Sequence, residues 1–391
     1  MIIKTLTEAV RIATGIPDAA PRPGQLSLTR HIEEAMEVNG HVVGVAPTGS
    51  GKSFSLLAPA MIAAAENGER TIISTESLSL QAQIMEKDAP NAAAACEKVT
   101  GTRPKVALLK GFSNYVCLAA ARDTAEAVTD LTGTRSSNKT LLAKLGRMKK
   151  SGTVSIDGRP FDKELGIPLL QWALSLDEGE AGDKQTYRGA LTNELWNTIA
   201  VGPSECIGTS CPLFDMCKPR AARAEAAEAD IVVTNHSMLA VQAAKGVPVI
   251  IGNRTLGEFH MIMIDEAHTL PANVRKAGAC EVSSATLMGL VRSASRILDE
   301  MDSRVERLMK EGNALAAELN DDLTTLVRSG PRMKPGEVFK LNKEADPVEN
   351  TGDMLIAWAK SLKNHLEKHT TSANVQASLK AKRLAGRADS F

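Results

Sequence analysis

Short apolar runs separated by helical patterns occupy most of the first 280 positions. Runs at residues 42–46, 71–74, 231–233 and 261–264 have the length and β-branched content of buried strands. A further strand is predicted in KVALLKGFSNYVCL, leading towards Cys117. Strands that alternate with helices favour an α/β fold with a parallel sheet.

Helical spacing dominates the remainder of the chain. Beyond Ser283 and Ser284, either of which could cap a helix, apolar residues recur three and four apart as far as residue 326, with an expected interruption at Gly312. This pattern predicts an antiparallel helical hairpin rather than a dimeric coiled coil. Residues 353–369 predict a second helix after the Pro- and Gly-rich stretch GPRMKPGE. Two shorter helical patterns lie at residues 138–150 and 167–176.

Length and composition narrow the class of protein. A chain of 391 residues can form several domains whose cores need no disulfides. The first residues, MIIKTLTEAVRIATG, have helical spacing instead of the apolar centre of a signal peptide. Since no apolar run approaches the roughly 20 residues of a membrane span, we expect a soluble, cytoplasmic protein with no membrane partner.

The net charge of zero hides a local asymmetry. Residues 98–163 hold 13 Lys and Arg against 5 Asp and Glu, whereas residues 164–230 hold 5 against 11. A basic region suits a polyanionic partner on one face, but two ordinary solvated surfaces would have the same composition.

The segment HVVGVAPTGSGKSFSLL predicts a strand, a glycine-rich loop and a helix, which is the P-loop arrangement. Gly49 and Gly51 leave room for backbone N–H groups around phosphates, Lys52 would reach the β- and γ-phosphates, and the Ser53 hydroxyl would bind Mg²⁺. The residues assigned to the nucleotide in this loop are Thr48, Gly49, Ser50, Gly51, Lys52 and Ser53.

A second nucleotide motif, FHMIMIDEAHTLP, places an acidic pair at the end of a predicted strand. Parallel sheets present ligand-binding groups at the carboxyl ends of their strands. Asp265 would hold Mg²⁺, Glu266 would orient or deprotonate the attacking water, and His268 would couple the nucleotide state to a polynucleotide. The two motifs together predict a nucleoside triphosphatase.

Lys52 and Asp265 lie 213 positions apart, so a large insertion separates the two halves of the predicted site. Three cysteines of CIGTSCPLFDMC lie in this gap, and Cys117 is the best candidate for a fourth ligand, whereas Cys96 and Cys280 stand alone. The metal ligands predicted from the spacing C-x88-C-x4-C-x5-C are Cys117, Cys206, Cys211 and Cys217.

Several kinds of site would use these cysteines. Disulfides are disfavoured in a reducing compartment. The spacing lacks the paired knuckles of most zinc sites and favours an iron–sulfur cluster, while zinc and plain structural thiols stay open. Residues 123–205 carry few large apolar side chains, so we expect bound metal to stabilise the insertion. The basic residues Lys144, Arg147, Lys149 and Lys150 would contact phosphates there, unless they form a solvated helix face.

The order of the motifs resembles the XPD/DinG-type iron–sulfur DNA helicases of superfamily 2, in particular the DinG branch. The resemblance covers residues 18–275 and rests on RPGQLSLTRHIEEAM, APTGSGKS, STESLSLQAQI, KGFSNYVC, the cysteine triplet, ADIVVTNHSML and IDEAH. It implies a RecA-like motor domain that binds ATP with Mg²⁺, with Arg22 and Gln25 at the adenine. It also implies a [4Fe-4S] cluster and 5′→3′ movement on single-stranded or forked DNA. Phe112 stands where the family more often has arginine, which puts one local DNA contact in doubt.

The resemblance implies four parts in this chain: residues 1–112 begin motor domain 1, 113–222 form the iron–sulfur insertion, 223–276 complete the motor domain, and 277–391 form a helical arch-like domain. A second motor domain is absent from the sequence given, and with it the arginine that would complete the ATP site. We therefore expect an ATP-dependent DNA helicase in partial or split form, whose second motor domain comes from a separate chain. The alternatives are a nucleotide- and DNA-binding accessory module with little ATPase activity, and a P-loop nuclease subunit with a zinc-bound insertion.

Overall fold

The structure of the chain is a computed structural model. It describes residues 1–47, 49–130, 136–156, 159–279, 283–295, 298, 302–329, 349–368, 381, 382, 384–386 and 388.

The chain divides into two compact units, each built from two segments. The first unit comprises Met1–Gly111 and Lys218–Ala279, and the second comprises Phe112–Cys217 and Cys280–Phe391. Each unit is described by itself below.

A parallel sheet of four strands forms the centre of the first unit. Its strands are β1 (Thr71–Thr75), β2 (Val106–Leu108), β5 (Ile231–Asn235) and β6 (Met261–Ile264). They lie in the order β2-β5-β1-β6, and Thr71 pairs with both Ile231 and Met261. The carboxyl ends of β1, β5 and β6 therefore meet at one edge of the sheet, which confirms the predicted α/β class.

Helices cover both faces of this sheet. They are α1 (Ile2–Thr14), α2 (Pro23–Glu37), α3 (Lys52–Asn67), α4 (Leu78–Gln83), α5 (Ala89–Thr100), α10 (Lys218–Ala227), α11 (His236–Lys245) and α12 (Leu270–Gly278), with a π-helical turn at Ile84–Asp88. Ile73 packs towards α1, α3 and α5, whereas its neighbour Ile72 packs towards α10 and α11. Successive strand residues point to opposite faces, so β1 is buried along its whole length.

The strand predicted at residues 42–46 is wrong. Residues 41–47 have no regular secondary structure, and the side chains of Val43 and Val45 are 93% and 100% exposed. A strand forms only where a neighbour satisfies its backbone N–H and C=O groups. Within the described part of the chain no strand pairs with the outer edge of β6, and this apolar segment does not add to that open edge.

The first segment of the second unit forms a small helical body of its own. It contains α6 (Leu118–Val128), α7 (Asn138–Arg147), the antiparallel pair β3 (Thr153–Ile156) and β4 (Arg159–Asp162), α8 (Lys163–Ser175) and α9 (Asn193–Trp196). The strand predicted to run towards Cys117 is mostly wrong: β2 ends at Leu108 and a short 3₁₀ turn follows at Phe112–Asn114.

The expectation of a weak apolar core in this segment is also wrong. Leu141, Leu145, Ile167 and Leu170 are fully buried there, together with Phe161 at 1% exposure. Helical spacing places the leucine and isoleucine side chains on the facing sides of α7 and α8. A short segment with scattered apolar residues can therefore still form a buried core. Its folding therefore does not depend on a metal ion alone.

Three further helices, α13 (Ser284–Ser295), α14 (Ser303–Ser329) and α15 (Glu349–Lys368), share one apolar cluster. Ser283 caps α13, since its Oγ accepts the Thr286 N–H at 3.2 Å, as predicted. The expected interruption at Gly312 is wrong, because α14 continues through it. A Cβ there would lie 2.5 Å from the Trp358 ring, so glycine permits close helix packing.

No helix in the described part of the chain is long and apolar enough to cross a membrane.

Candidate nucleotide site and cysteine segment

The glycine-rich loop leads directly into the N-terminus of α3, at the sheet edge where β6 ends. Gly49 and Gly51 have φ values of 78° and 84°, a left-handed conformation that glycine adopts without strain. A Cβ on Gly51 would lie 2.3 Å from the Gln25 Nε2, so the loop has no room for a side chain there. Thr48 lies outside the described residues.

The start of α3 has the properties of a phosphate site. Its first turn contains no acidic residue, and no side chain caps its backbone N–H groups. The Oγ of Ser50 is buried without a hydrogen-bond partner among the described residues. Ser53 lies in the first turn of α3, next to Lys52. Unpaired donors at a helix N-terminus suit an anionic ligand, so these residues fit a bound triphosphate.

Arg22 and Gln25 contact the loop from the start of α2. Arg22 donates from Nη1 to the Gly49 carbonyl, and Gln25 donates from Nε2 to the Gly51 carbonyl at 3.0 Å. The Gln25 Oε1 also accepts the backbone N–H of Arg22 at 2.8 Å. The two residues predicted to read adenine thus lie beside the loop and brace its backbone.

The second predicted motif meets the first through one ion pair. Lys52 Nζ lies 2.8 Å from Glu266 Oε1 and also donates to the Ala46 carbonyl at 3.3 Å. His268, whose side chain is 75% exposed, places Nδ1 3.5 Å from Glu266 Oε2. Residues 214 positions apart therefore share one site.

The two carboxyl groups of this motif have opposite pKa shifts. The hydrogen bond from Lys52 lowers the pKa of Glu266, with a further contribution from the charge of Lys52. Burial raises the pKa of Asp265 despite the nearby charge of Lys52. Glu266 has a φ of 54°, a strained backbone conformation for a long side chain. Strain of this kind is concentrated at functional sites.

Sequence reasoning missed a buried pair beneath the acidic motif. His236 is fully buried at the start of α11, and its Nδ1 lies 2.8 Å from the Ser74 Oγ of β1. The Ser74 carbonyl accepts the Asp265 N–H at 2.9 Å. Burial lowers the pKa of His236. The signal available in the sequence was the polar TNHS stretch directly after an apolar strand.

The four predicted metal ligands all lie in the second unit, each half-buried, and none forms a disulfide. Cys117 precedes α6 and donates its backbone N–H to the Ile199 carbonyl at 2.8 Å. Cys206, Cys211 and Cys217 each donate a backbone N–H to a carbonyl three residues earlier, so they lie in successive tight turns.

The four cysteines do not form a metal-ion site in the described part of the structure. Among the described residues, no three His, Cys, Asp or Glu side chains are placed to hold a metal ion. The donor set of four cysteines has the chemistry of a thiolate-bound cluster, and these are the residues that would hold one.

No protein-family model matches the chain. The ATP-dependent helicase DinG of Mycobacterium tuberculosis (strain H37Rv) is 30% identical over 296 residues, which are 75% of this chain and 41% of that protein. The ATP-dependent DNA helicase YoaA of Escherichia coli K12 is 28% identical over 326 residues, covering 82% and 44% of the two chains. The ATP-dependent DNA helicase DinG of the same strain is 26% identical over 264 residues, covering 67% and 33%.

The matches cover most of this chain, although it spans less than half the length of these curated relatives. Together with the site formed by the P-loop and the acidic motif, they show that the chain belongs to the DinG-type helicase family.

Proposed function

We propose that this chain is the ATP-binding part of an iron–sulfur DNA helicase that moves 5′→3′ along single-stranded DNA. The observation that carries the proposal is the contact between Lys52 and Glu266, which unites two nucleotide motifs from distant parts of the sequence. The names of its relatives, ATP-dependent helicases, support the same activity.

The roles of the site residues follow from their placement. Backbone N–H groups at the start of α3 would bind the phosphates, and Lys52 would leave Glu266 to pair with the β- and γ-phosphates. The Ser53 hydroxyl and the Asp265 carboxylate are the groups that would hold Mg²⁺, which neutralises phosphate charge when bound.

Glu266 then becomes free to orient the attacking water. A glutamate carboxylate is ionised at neutral pH and accepts hydrogen bonds, which is what orienting a water molecule requires. His268 is exposed beside Glu266. It would transmit a movement of the Glu266 carboxylate to a polynucleotide bound next to it.

The test is a pair of substitutions measured with Mg²⁺ and ATP, with and without single-stranded DNA. Lys52→Ala should lose ATP binding, whereas Glu266→Gln should retain binding and lose hydrolysis. Equal hydrolysis by Glu266→Gln and the parent would refute the assignment. ATP binding without hydrolysis by the parent would favour the accessory module.

We also propose that Cys117, Cys206, Cys211 and Cys217 hold a [4Fe-4S] cluster. The support is the spacing of the cysteines and the family to which the chain belongs. The test is iron and acid-labile sulfide content of protein purified without oxygen. About four of each per chain would support the cluster. Stoichiometric zinc without sulfide would refute it and favour the nuclease-subunit alternative.

The outer edge of β6 supports a proposal about a partner. Ile262 and Ile264 are 45% and 36% exposed there, and Val43 and Val45 are exposed in the unpaired segment nearby in the same unit. We propose that a separate chain carrying a second motor domain adds a strand at this edge, since an open apolar strand otherwise promotes aggregation. Co-expression with such a chain should bury this edge, measured as slower hydrogen exchange in β6. Unchanged exchange in a formed complex would refute the proposal.

A further inference from the structure

A buried hydrogen bond lies at the carboxyl edge of the sheet, and the roles proposed above do not use it. The Nδ1 of His236 and the Oγ of Ser74 are 2.8 Å apart, and both residues are fully buried. Ser74 is on β1, whereas His236 begins α11 directly after β5. Because β1 pairs with both β5 and β6, this contact lies close to the point where β6 leads into Asp265.

The backbone of Ser74 joins this pair to the acidic motif. The Ser74 carbonyl accepts the Asp265 N–H at 2.9 Å, and the Asp265 Oδ1 accepts the Glu266 N–H at 3.1 Å. The hydroxyl that contacts His236 and the carbonyl that holds Asp265 thus belong to one residue. A displacement of the hydroxyl is therefore passed to the acidic motif within that residue.

The imidazole ring also lies beside the backbone of the acidic motif. Burial lowers the pKa of His236, and the nearby backbone of Glu266 and Asp265 acts against that shift. The Nε2 of His236 is buried, and no group in the described part of the chain is placed to form a hydrogen bond with it. A buried polar ring without a second partner contributes little to stability, so its place beside the motif calls for another explanation.

The acidic motif needs support from its surroundings. Glu266 has a φ of 54°, and a backbone conformation of this kind persists only where neighbouring groups hold it. The Thr269 hydroxyl supplies one such contact, since it donates to the Glu266 carbonyl at 3.1 Å. Mg²⁺ also demands nearly ideal octahedral geometry, so a small displacement of Asp265 would weaken its binding.

We propose that His236 and Ser74 are positioning residues, whose hydrogen bond fixes the end of β1 and thereby sets the geometry at which Asp265 accepts Mg²⁺. Neither side chain touches the nucleotide or the metal ion; both act through the backbone of the acidic motif. Groups that orient a metal ligand from behind typically change metal affinity by about 10- to 100-fold when they are removed. The inference rests on the proposed function and adds two residues to the P-loop and the acidic motif.

The test measures how much Mg²⁺ the full chain needs to bind a non-hydrolysable ATP analogue, by calorimetry at increasing Mg²⁺ concentrations. Ser74→Ala removes only the hydroxyl and should raise the half-saturating Mg²⁺ concentration about 10- to 100-fold. The affinity for the analogue in EDTA should be unchanged, because the P-loop would hold the phosphates without the acidic pair. A purely structural role would not separate these two measurements.

Variants of His236 test the same hydrogen bond from its other end. His236→Leu replaces the ring with an apolar side chain and should raise the Mg²⁺ requirement as Ser74→Ala does. The double variant should be no worse than either single variant, because the two groups act as one pair. His236→Asn places an amide near the position of Nδ1 and should restore most of the parent's Mg²⁺ affinity.

The matched control is a second buried hydroxyl at the same level of the sheet. Thr234 pairs with Ser74 across the strands, is fully buried, and donates from Oγ1 to the Leu109 carbonyl at 2.8 Å. Thr234→Val removes this hydrogen bond and should lower the melting temperature without changing the Mg²⁺ requirement.

The outcomes distinguish this inference from the proposed function. An unchanged Mg²⁺ requirement in folded Ser74→Ala, or an equal rise in Thr234→Val, would overturn the inference and leave the ATP site in place. If His236→Leu does not fold, Ser74→Ala decides alone. If the parent binds the analogue equally with and without Mg²⁺, or does not bind it, the proposed function itself is wrong and the inference falls with it.

Discussion

The loop at residues 46–53 and the cysteine segment at residues 206–217 are both short, turn-rich stretches with predicted ligands, but they differ in how far the protein organises them. At the loop, α2, α3 and β6 bring side chains from three places into contact, and Lys52 already pairs with Glu266. At the cysteine segment the turns are formed, but no three of the described His, Cys, Asp and Glu side chains are placed to hold a metal ion.

The difference has a physical cause. Opposite charges and buried amides attract one another within the protein, so a nucleotide site can form before its ligand binds. Thiolates have no such attraction for one another, and a metal ion must supply the free energy that brings them together. A site whose ligands repel is therefore poorly defined by the protein alone.

The largest effect is expected at the organised site. Lys52→Ala removes the charge that would contact the phosphates, so ATP binding should be lost and ATP·Mg²⁺ turnover should fall by at least about 10²–10³-fold, the effect of losing a single preorganised donor. Isothermal calorimetry and a phosphate-release assay measure binding and hydrolysis. Lys98→Ala, which removes a lysine 63% exposed in its pair with Glu8, is the matched control. Comparable losses in both variants would contradict a specific role for Lys52.

A second prediction concerns what holds the body at residues 112–217 together. Leu170 is fully buried in its core, so Leu170→Ala should destabilise it by about 2–5 kcal/mol. Cys211→Ser should remove bound iron while leaving α7 and α8 folded, since the buried members of their core lie outside the cysteine segment, from which the half-buried Leu213 packs against it. The protection of α8 amides from hydrogen exchange is measured in both variants. Loss of protection in Cys211→Ser equal to that in Leu170→Ala would mean that metal, not the apolar core, organises this body.

A smaller effect is expected from the loop backbone. Gly51→Ala must displace Gln25 and adopt a φ of 84°, which should cost about 1–2 kcal/mol. Gly68→Ala has a similar φ of 68° but nothing within 4 Å of the added Cβ, so it separates backbone strain from the collision. Denaturant unfolding and ATP affinity are the measurements. ATP affinity should fall in Gly51→Ala alone. An equal fall in both variants would show that the collision with Gln25 does not affect ATP binding.

The smallest effect is expected at the surface. Lys98 Nζ lies 2.8 Å from Glu8 Oε1, but an exposed pair of this kind contributes only about 0–1 kcal/mol. Lys98→Ala should therefore shift the melting temperature by no more than a few degrees. A larger shift would show that the contact between α1 and α5 depends on charge as well as on apolar packing.

Local spacing was enough to predict several elements of the fold. The runs at β1, β5 and β6, the helix after the glycine-rich loop and the helices α7, α8 and α15 were all found from apolar periodicity. Their signals lie within ten to twenty consecutive residues, because a helix or a buried strand is selected by the side chains that it buries. The P-loop and the acidic motif were found from their own residue patterns, which are equally local.

Other features depended on partners distant in sequence. Residues 42–46 have the composition of a strand, yet they pair with no strand of the sheet and are irregular and largely exposed. Gly312 was expected to interrupt a helix, but in the structure it allows the Trp358 ring to pack closely against α14. The buried hydrogen bond of His236 could not be predicted from local sequence, because its partner Ser74 lies on β1, far away in the chain.

The sequence by itself determined three strands of the sheet and several helices, the parallel α/β class, the family and the candidate residues of the nucleotide site. The tertiary structure decided that Lys52 meets Glu266, that Arg22 and Gln25 brace the loop, and that a buried hydrogen bond lies beside the acidic motif. Periodicity records which face of an element is buried, but not which side chain lies opposite. That choice is made when the elements pack, over separations that no local pattern encodes.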